Sequence, residues 1–143
     1  MAISFANDNI VFDLKQKSKL KSWIIAVSKK EKYAVGQLNY IFTSDESLLK
    51  INIQYLKHNT YTDIITFNYN EGKKVSGDIF ISIDRIKDNA KKFDVHFEEE
   101  LHRVMIHGVL HLCGYKDKSR TESELMRKKE NSALRMLKSP KKG

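Results

Sequence analysis

Apolar positions alternate in four stretches of the chain and recur at three- and four-residue spacing in five others, which predicts about four strands and about five helices. Residues 3–9 read as a first strand. Leu14, Leu20, Trp23, Ile24 and Val27 fall at helical spacing among lysines, predicting an amphipathic helix from Leu14 to about Lys30. Leu38, Tyr40 and Phe42 alternate within the next strand. Ser44 and Asp45 are cap candidates for a helical pattern over 44–58. Ile65, Phe67 and Tyr69 alternate, and so do Ile79, Ile81 and Ile83. Gly72 lies between these two runs, which predict a hairpin or two neighbouring strands. A short helix over 84–93 follows.

The stretch 96–114 differs from all of these. Glu98, Glu99 and Glu100 fall in its first turn, where they complement the helix dipole. From Leu101 onward it is apolar on nearly all sides, which predicts a central, buried helix. Gly114 is placed to end it as the residue after the cap. Thr121 and Glu124 have capping-box spacing before a last helix through about Leu137. The mixed order of strands and helices predicts the α+β class, with a mixed, roughly four-stranded sheet and the motif helix central. Residues 1–137 read as a single domain and 138–143 as a basic disordered tail.

Composition narrows the setting. The chain has 143 residues, enough for a core without covalent staples, and its one cysteine, Cys113, cannot form an internal disulfide. No run of apolar residues is long enough to span a membrane, and the first ten residues do not resemble a signal peptide. A cytoplasmic location is therefore expected. The net charge of +8 is unevenly spread: residues 1–34 carry +4, residues 35–117 carry −2, and residues 118–143 carry +6. Basic ends around a slightly acidic middle suit a polyanionic substrate such as nucleic acid, although the same charge also serves solubility.

The acidic middle holds the chemistry. His107 and His111 are four apart, so a helix presents both imidazoles on one face. A third ligand must come from chain that has left the helix, and Gly114 lets it turn. Asp117 arrives three residues later. The pattern H-x-x-x-H-x-x-G-x-x-D has the metzincin spacing with aspartate in the third place. His107, His111 and Asp117 are thus the candidate metal ligands, with zinc expected and Mn or Mg compatible with the harder carboxylate. Position 108 is Gly, not the Glu that serves a zinc peptidase as general base. That glycine opens one side of the helix to backbone or substrate. Cys113 lies on a different face and reads as a small buried hydrophobe.

The residues His107-Gly108-Val109-Leu110-His111-Leu112-Cys113-Gly114-Tyr115-Lys116-Asp117 resemble the motif H-G-x-L-H-L-x-G-Y-D-H of the YbeY family, bacterial single-strand-specific endoribonucleases of ribosomal RNA maturation. Lys116 stands for the family's aspartate and Asp117 for its third histidine. Upstream, Asn52, then Thr62-Asp63-Ile64-Ile65-Thr66-Phe67, then Gly77-Asp78-Ile79 resemble further family segments. Downstream, Met126 through Glu130 resembles its closing M-x-x-x-E helix. The resemblance spans roughly residues 35–137. It implies a zinc ion, ribosomal RNA as substrate, a role in ribosome quality control and a link to the small ribosomal subunit. The family's arginine in the loop before T-D falls on Leu56 here; the adjacent Lys57 and His58 are the substrate-side candidates.

Three readings follow. The leading one is a zinc-dependent endoribonuclease. The others are a non-enzymatic, ribosome-associated metal-binding module, and a metal-dependent hydrolase of another class, such as a peptidase. Gly108 opposes the peptidase, and the absence of an evident general base favours the module.

Overall fold

The computed structural model describes residues 2–138. It contains β1 (Ala2–Asn7), α1 (Lys17–Lys30), β2 (Ala34–Thr43), α2 (Asp45–Leu56), β3 (Ile64–Asn68), β4 (Lys74–Ser82), α3 (Ile83–Phe93), α4 (Phe97–Leu112) and α5 (Arg120–Lys138). The four strands form one sheet in the order β1-β2-β4-β3. The β1–β2 and β2–β4 pairs are parallel, and β3–β4 is an antiparallel hairpin. The α+β class, the mixed four-stranded sheet and the five helices are those expected from the sequence.

Alternation assigns each strand two faces. Leu38, Tyr40 and Phe42 of β2 and Val75, Ile79 and Ile81 of β4 point to one side. They form the core with Leu20, Trp23 and Ile24 of α1 and the apolar flank of α4. Ile65 and Phe67 of β3 point to the other side, where Tyr55 of α2 meets the Phe67 ring edge-on at 5.8 Å. The alternating residues of the two hairpin strands thus serve opposite faces of the sheet.

Helix α4 is central. It packs on β3, β4, α1, α3 and α5. Leu101, Met105, Ile106 and Val109 are wholly buried. The Tyr40 hydroxyl donates to the Met105 carbonyl at 2.9 Å, fixing the helix against the sheet. Trp23 Nε1 donates to Ala133 O at 2.7 Å and ties α1 to α5.

Three local readings change. Helix α1 begins at Lys17 rather than Leu14, because Gln16 takes a left-handed φ of 60°, which interrupts the helix; Leu14 is buried all the same. The capping box of α5 is Ser119/Glu122, not Thr121/Glu124. Glu122 N donates to Ser119 Oγ at 3.1 Å, and Ser119 N donates to Glu122 Oε1 at 2.9 Å. Both pairs fit S/T-x-x-E; the chain leaves the preceding loop two residues earlier than Thr121 suggests. Finally, α5 runs through Lys138, whose ammonium lies 3.2 Å from Glu99. The rest of the expected disordered tail lies outside the described residues.

Candidate metal centre

Helix α4 ends where the site begins. Cys113 is the cap, and Gly114 follows with a φ of +99°, a conformation an L side chain rarely adopts. Gly114 N donates to His111 O at 2.9 Å, and Tyr115 N donates to Leu110 O at 3.0 Å. These two bonds make a Schellman motif, which closes the helix and reverses the chain. The returning loop is held at Tyr115, whose hydroxyl donates to Glu31 at 2.6 Å. Lys129 of α5 lies 5.5 Å from the centre of the Tyr115 ring and 3.4 Å from Glu31. On the hairpin side, Asn70 Nδ2 donates to Leu112 O at 2.7 Å. Asp117 therefore returns along a path anchored to α1, α5 and the hairpin.

The result is a three-residue cluster. His107 Nε2 lies 3.2 Å from Asp117 Oδ2, and His111 Nε2 lies 3.4 Å from the same oxygen. One ligand atom from each residue falls within 4.8 Å of the others. A tetrahedral ion with bonds of roughly 2.0–2.1 Å would separate its ligands by about 3.4 Å. The two N–O edges, 3.2 and 3.4 Å, match that value. The donor set of two imidazoles and one carboxylate suits zinc, and the carboxylate also suits harder divalent ions.

The other ring nitrogen of His107 fixes its orientation. His107 Nδ1 lies 2.6 Å from Glu130 Oε2. Glu130 is buried and also accepts from Arg103 Nη1 at 3.0 Å, while Arg103 Nη2 donates to Asn131 at 2.8 Å. A carboxylate on Nδ1 leaves Nε2 as the nitrogen facing Asp117, which is how ligating histidines are commonly oriented. Burial disfavours the charged imidazole. The Glu130 hydrogen bond and charge, with Asp117 and Asp63, outweigh it, so His107 is raised above its usual range. Burial likewise pushes Glu130 up, but His107 and Arg103 hold it below the ordinary carboxylate range.

Two cavities meet at the cluster. One, of about 560 Å³, is lined by Leu56, Thr62, Thr66, Asn68, His111 and Lys118, among others. The second, of about 290 Å³, is lined by Asn89, Phe93, Glu100, Arg103, Arg127 and Glu130, among others. Asp63, Ile64, His107 and Asp117 line both. Asp63 is pushed up by burial, against the lowering effect of His107.

The sequence candidates fare differently. His107, His111 and Asp117 come together. Leu56 lines the larger cavity, where the resemblance implied an arginine. Lys57 and His58 are exposed and are not among the residues lining either cavity; Lys57 caps α2 with a left-handed φ of 56°. Lys118, adjacent to Asp117, does line the cleft with a cation. Gly108 admits the sheet rather than a substrate. A Cβ there would lie 2.9 Å from Ile79 Cδ1 and 3.1 Å from Ile64 Cδ1. A glutamate at 108 has no room, which removes the base of a peptidase mechanism. Cys113 packs against the core, and burial pushes its thiol up to about 12.

Sequence reasoning missed Glu130, Arg103, Asp63 and Glu100 as site residues. Met126–Glu130 carried a signal in the resemblance, but its role needed the fold. Arg103 precedes His107 by one helical turn, a spacing that places it on the same face.

A sequence profile described as Endoribonuclease YbeY matches residues 2–138. A relative of that name from Flavobacterium johnsoniae is 53% identical over 126 residues, covering 88% of this chain and 91% of its own. Another from Cytophaga hutchinsonii is 50% identical over 137 residues, covering 95% and 96%. The solution structure of a Thermotoga maritima protein superposes with a TM-score of 0.64 at 28% identity, covering 99% of both chains.

Proposed function

The chain belongs to the YbeY family of endoribonucleases, and from that premise we propose a single-strand-specific, zinc-dependent endoribonuclease that acts in ribosomal RNA maturation and ribosome quality control. The coarse part, an RNA-cleaving hydrolase, follows from the family. Zinc, ribosomal RNA, the small ribosomal subunit as partner and a cytoplasmic setting are the finer parts of the reading. No described helix is long and apolar enough to cross a membrane.

The observation that carries the reading is the convergence of His107, His111 and Asp117 at the junction of two cavities, with His107 oriented by Glu130. A divalent ion held there supplies Lewis-acid stabilisation of charge developing on a phosphodiester. The chain's own groups do the rest. Glu130 holds the His107 ring in one orientation. Arg103 keeps Glu130 ionised. Lys118 beside one cavity and Arg127 beside the other bring cations to either side of the cluster, where a polyanionic backbone would pass. The net charge of +8 adds long-range attraction.

The test is direct. Purified chain, loaded with zinc and freed of excess metal, should cut single-stranded RNA and spare the duplex. Cleavage should stop with chelator and with His111→Ala. RNA left intact by a protein carrying one ion per chain would favour the non-enzymatic binding module instead.

A further inference from the structure

The cavity on the α3–α5 side of the cluster is lined in a way the metal centre does not explain. Glu100 lies on α4 and is only 6% exposed. Its carboxyl makes no hydrogen bond or ion pair among the described residues, yet it lines this cavity. The neighbouring carboxyls are otherwise engaged. Glu130 is taken up by His107 and Arg103, and Asp63 accepts a long bond of 3.4 Å from Asn89 Nδ2. The Glu100 oxygens open onto the cavity, where Arg103 and Arg127 act on them through charge alone, so a donor that enters can bond to them directly. The same cavity carries Phe93 at the C-terminal end of α3, with 54% of its surface exposed. A large ring left in solvent at the edge of a polar cavity is a stacking platform. The volume, about 290 Å³, lies just below the roughly 300–1,000 Å³ typical of small-molecule pockets, which limits the occupant to a small group.

These features select among the parts of an RNA strand. A phosphate suits the rim beside Arg127 better than the interior, where Arg103 and Arg127 are already paired with Glu130 and the carboxyls of Glu100 and Asp63 would repel it. A ribose offers little to an aromatic ring. A planar base with N–H donors on its edge meets both demands: its face stacks on Phe93 and its donors reach Glu100. Uracil fits worst, because its edge presents two carbonyl acceptors around a single N–H. Guanine, adenine and cytosine each carry an exocyclic amino group, and a carboxylate accepts from such groups.

We propose that this cavity binds one unpaired, amino-bearing nucleobase of the RNA, stacked on Phe93 and hydrogen-bonded to Glu100, next to the phosphodiester at the metal centre. The inference rests on the endoribonuclease reading for the identity of the strand. It also supplies a reason for single-strand specificity, since a base must leave its duplex to enter.

The experiment uses the zinc-loaded full chain and 2′-O-methyl hexanucleotides, which bind without being cut. All are uridine except for one G, A, C or U at the central position, and binding is read by fluorescence anisotropy. Wild type should prefer the amino-bearing bases over U by at least roughly fivefold. Glu100→Gln should collapse that preference, while Phe93→Ala weakens all four by roughly tenfold. Phe93 is exposed and Glu100→Gln is nearly isosteric, so both variants should fold. Equal affinity for all four in wild type, or a preference untouched by Glu100→Gln, overturns the proposal. So does a bound-metal count of two per chain that falls to one in Glu100→Gln, because Glu100 would then serve a second cation. Cleavage of the matching unmodified RNAs is scored separately. Base preference without cleavage keeps the cavity and sinks the nuclease; cleavage without base preference does the reverse.

Discussion

Two histidines lie five residues apart on α4, both largely buried, and their surroundings drive them in opposite directions. His102 packs edge-on against Trp23 with ring centres 6.1 Å apart. Its Nε2 is buried without a hydrogen bond; the Glu98 carboxylate is 3.5 Å away but exposed. Burial, with the charge of Lys19, pushes His102 down from 6.5 to about 4. His107 has the Glu130 carboxylate at 2.6 Å and is raised instead. The difference shows that burial alone makes a histidine a neutral core residue. A buried, charge-bearing partner on the next helix instead fixes the ring, with Nε2 turned toward Asp117.

The largest effect should come from the ligand side of this comparison. Asp117→Ala or His111→Ala leaves two ligands, and the affinity for zinc should fall by roughly 100-fold or more. Metal content after dialysis measures it. Full occupancy in Asp117→Ala would remove that residue from the ligand set.

His102 supplies the next effect, in stability rather than binding. Its folded value lies below its ordinary one, so the unfolded chain binds more protons between about pH 4 and 6.5. Stability therefore rises with pH across that window and is lost on acidification, by up to about 3 kcal/mol for a shift of this size. In His102→Leu that share of the acid loss should vanish. Urea unfolding of both proteins at pH 7 and pH 4.5 checks it. An unchanged pH slope would mean that His102 is not held neutral by the fold.

Glu130→Gln removes the difference between the two histidines. It keeps the shape but takes away the charge that orients His107, and should weaken zinc binding by roughly 10- to 100-fold. Arg103 retains Asn131 as a partner, so the variant should stay folded. Competition with a chelating dye gives the number; wild-type affinity would reduce Glu130 to a packing role.

The smallest effect is a control. Ser119→Ala deletes the cap of α5 and should cost about 1 kcal/mol of stability while leaving zinc affinity as it is. A parallel drop in affinity would show that the start of α5 and the ligand loop move as one.

Much of this was legible in the sequence because it depends on neighbours along the chain. Period-two and helical spacing gave the strands and helices. Helical geometry put His107 and His111 on one face, and Gly114 marked the place where an L residue could not easily follow. The offset of Asp117 then made it the candidate for a third ligand. Where two local patterns compete, spacing alone does not choose: Ser119/Glu122 and Thr121/Glu124 read equally well as caps. At Gly108 the local reading left backbone or substrate as the neighbour, and the packing decides it: Ile79 and Ile64 of the sheet fill the space.

The sequence by itself therefore determined the element order, the buried character of α4 and the three residues able to hold an ion. Only the tertiary structure decided that Glu130 meets His107, that Glu100 lines the cavity beside the site with no hydrogen bond to its carboxyl among the described residues, and that Lys57 and His58 stay outside the lining of both cavities. Those facts depend on contacts between segments 23 or more residues apart or between different elements, as in the His107–Glu130 pair. Spacing along one helix cannot encode them, because they follow from how α3, α4 and α5 pack on one another.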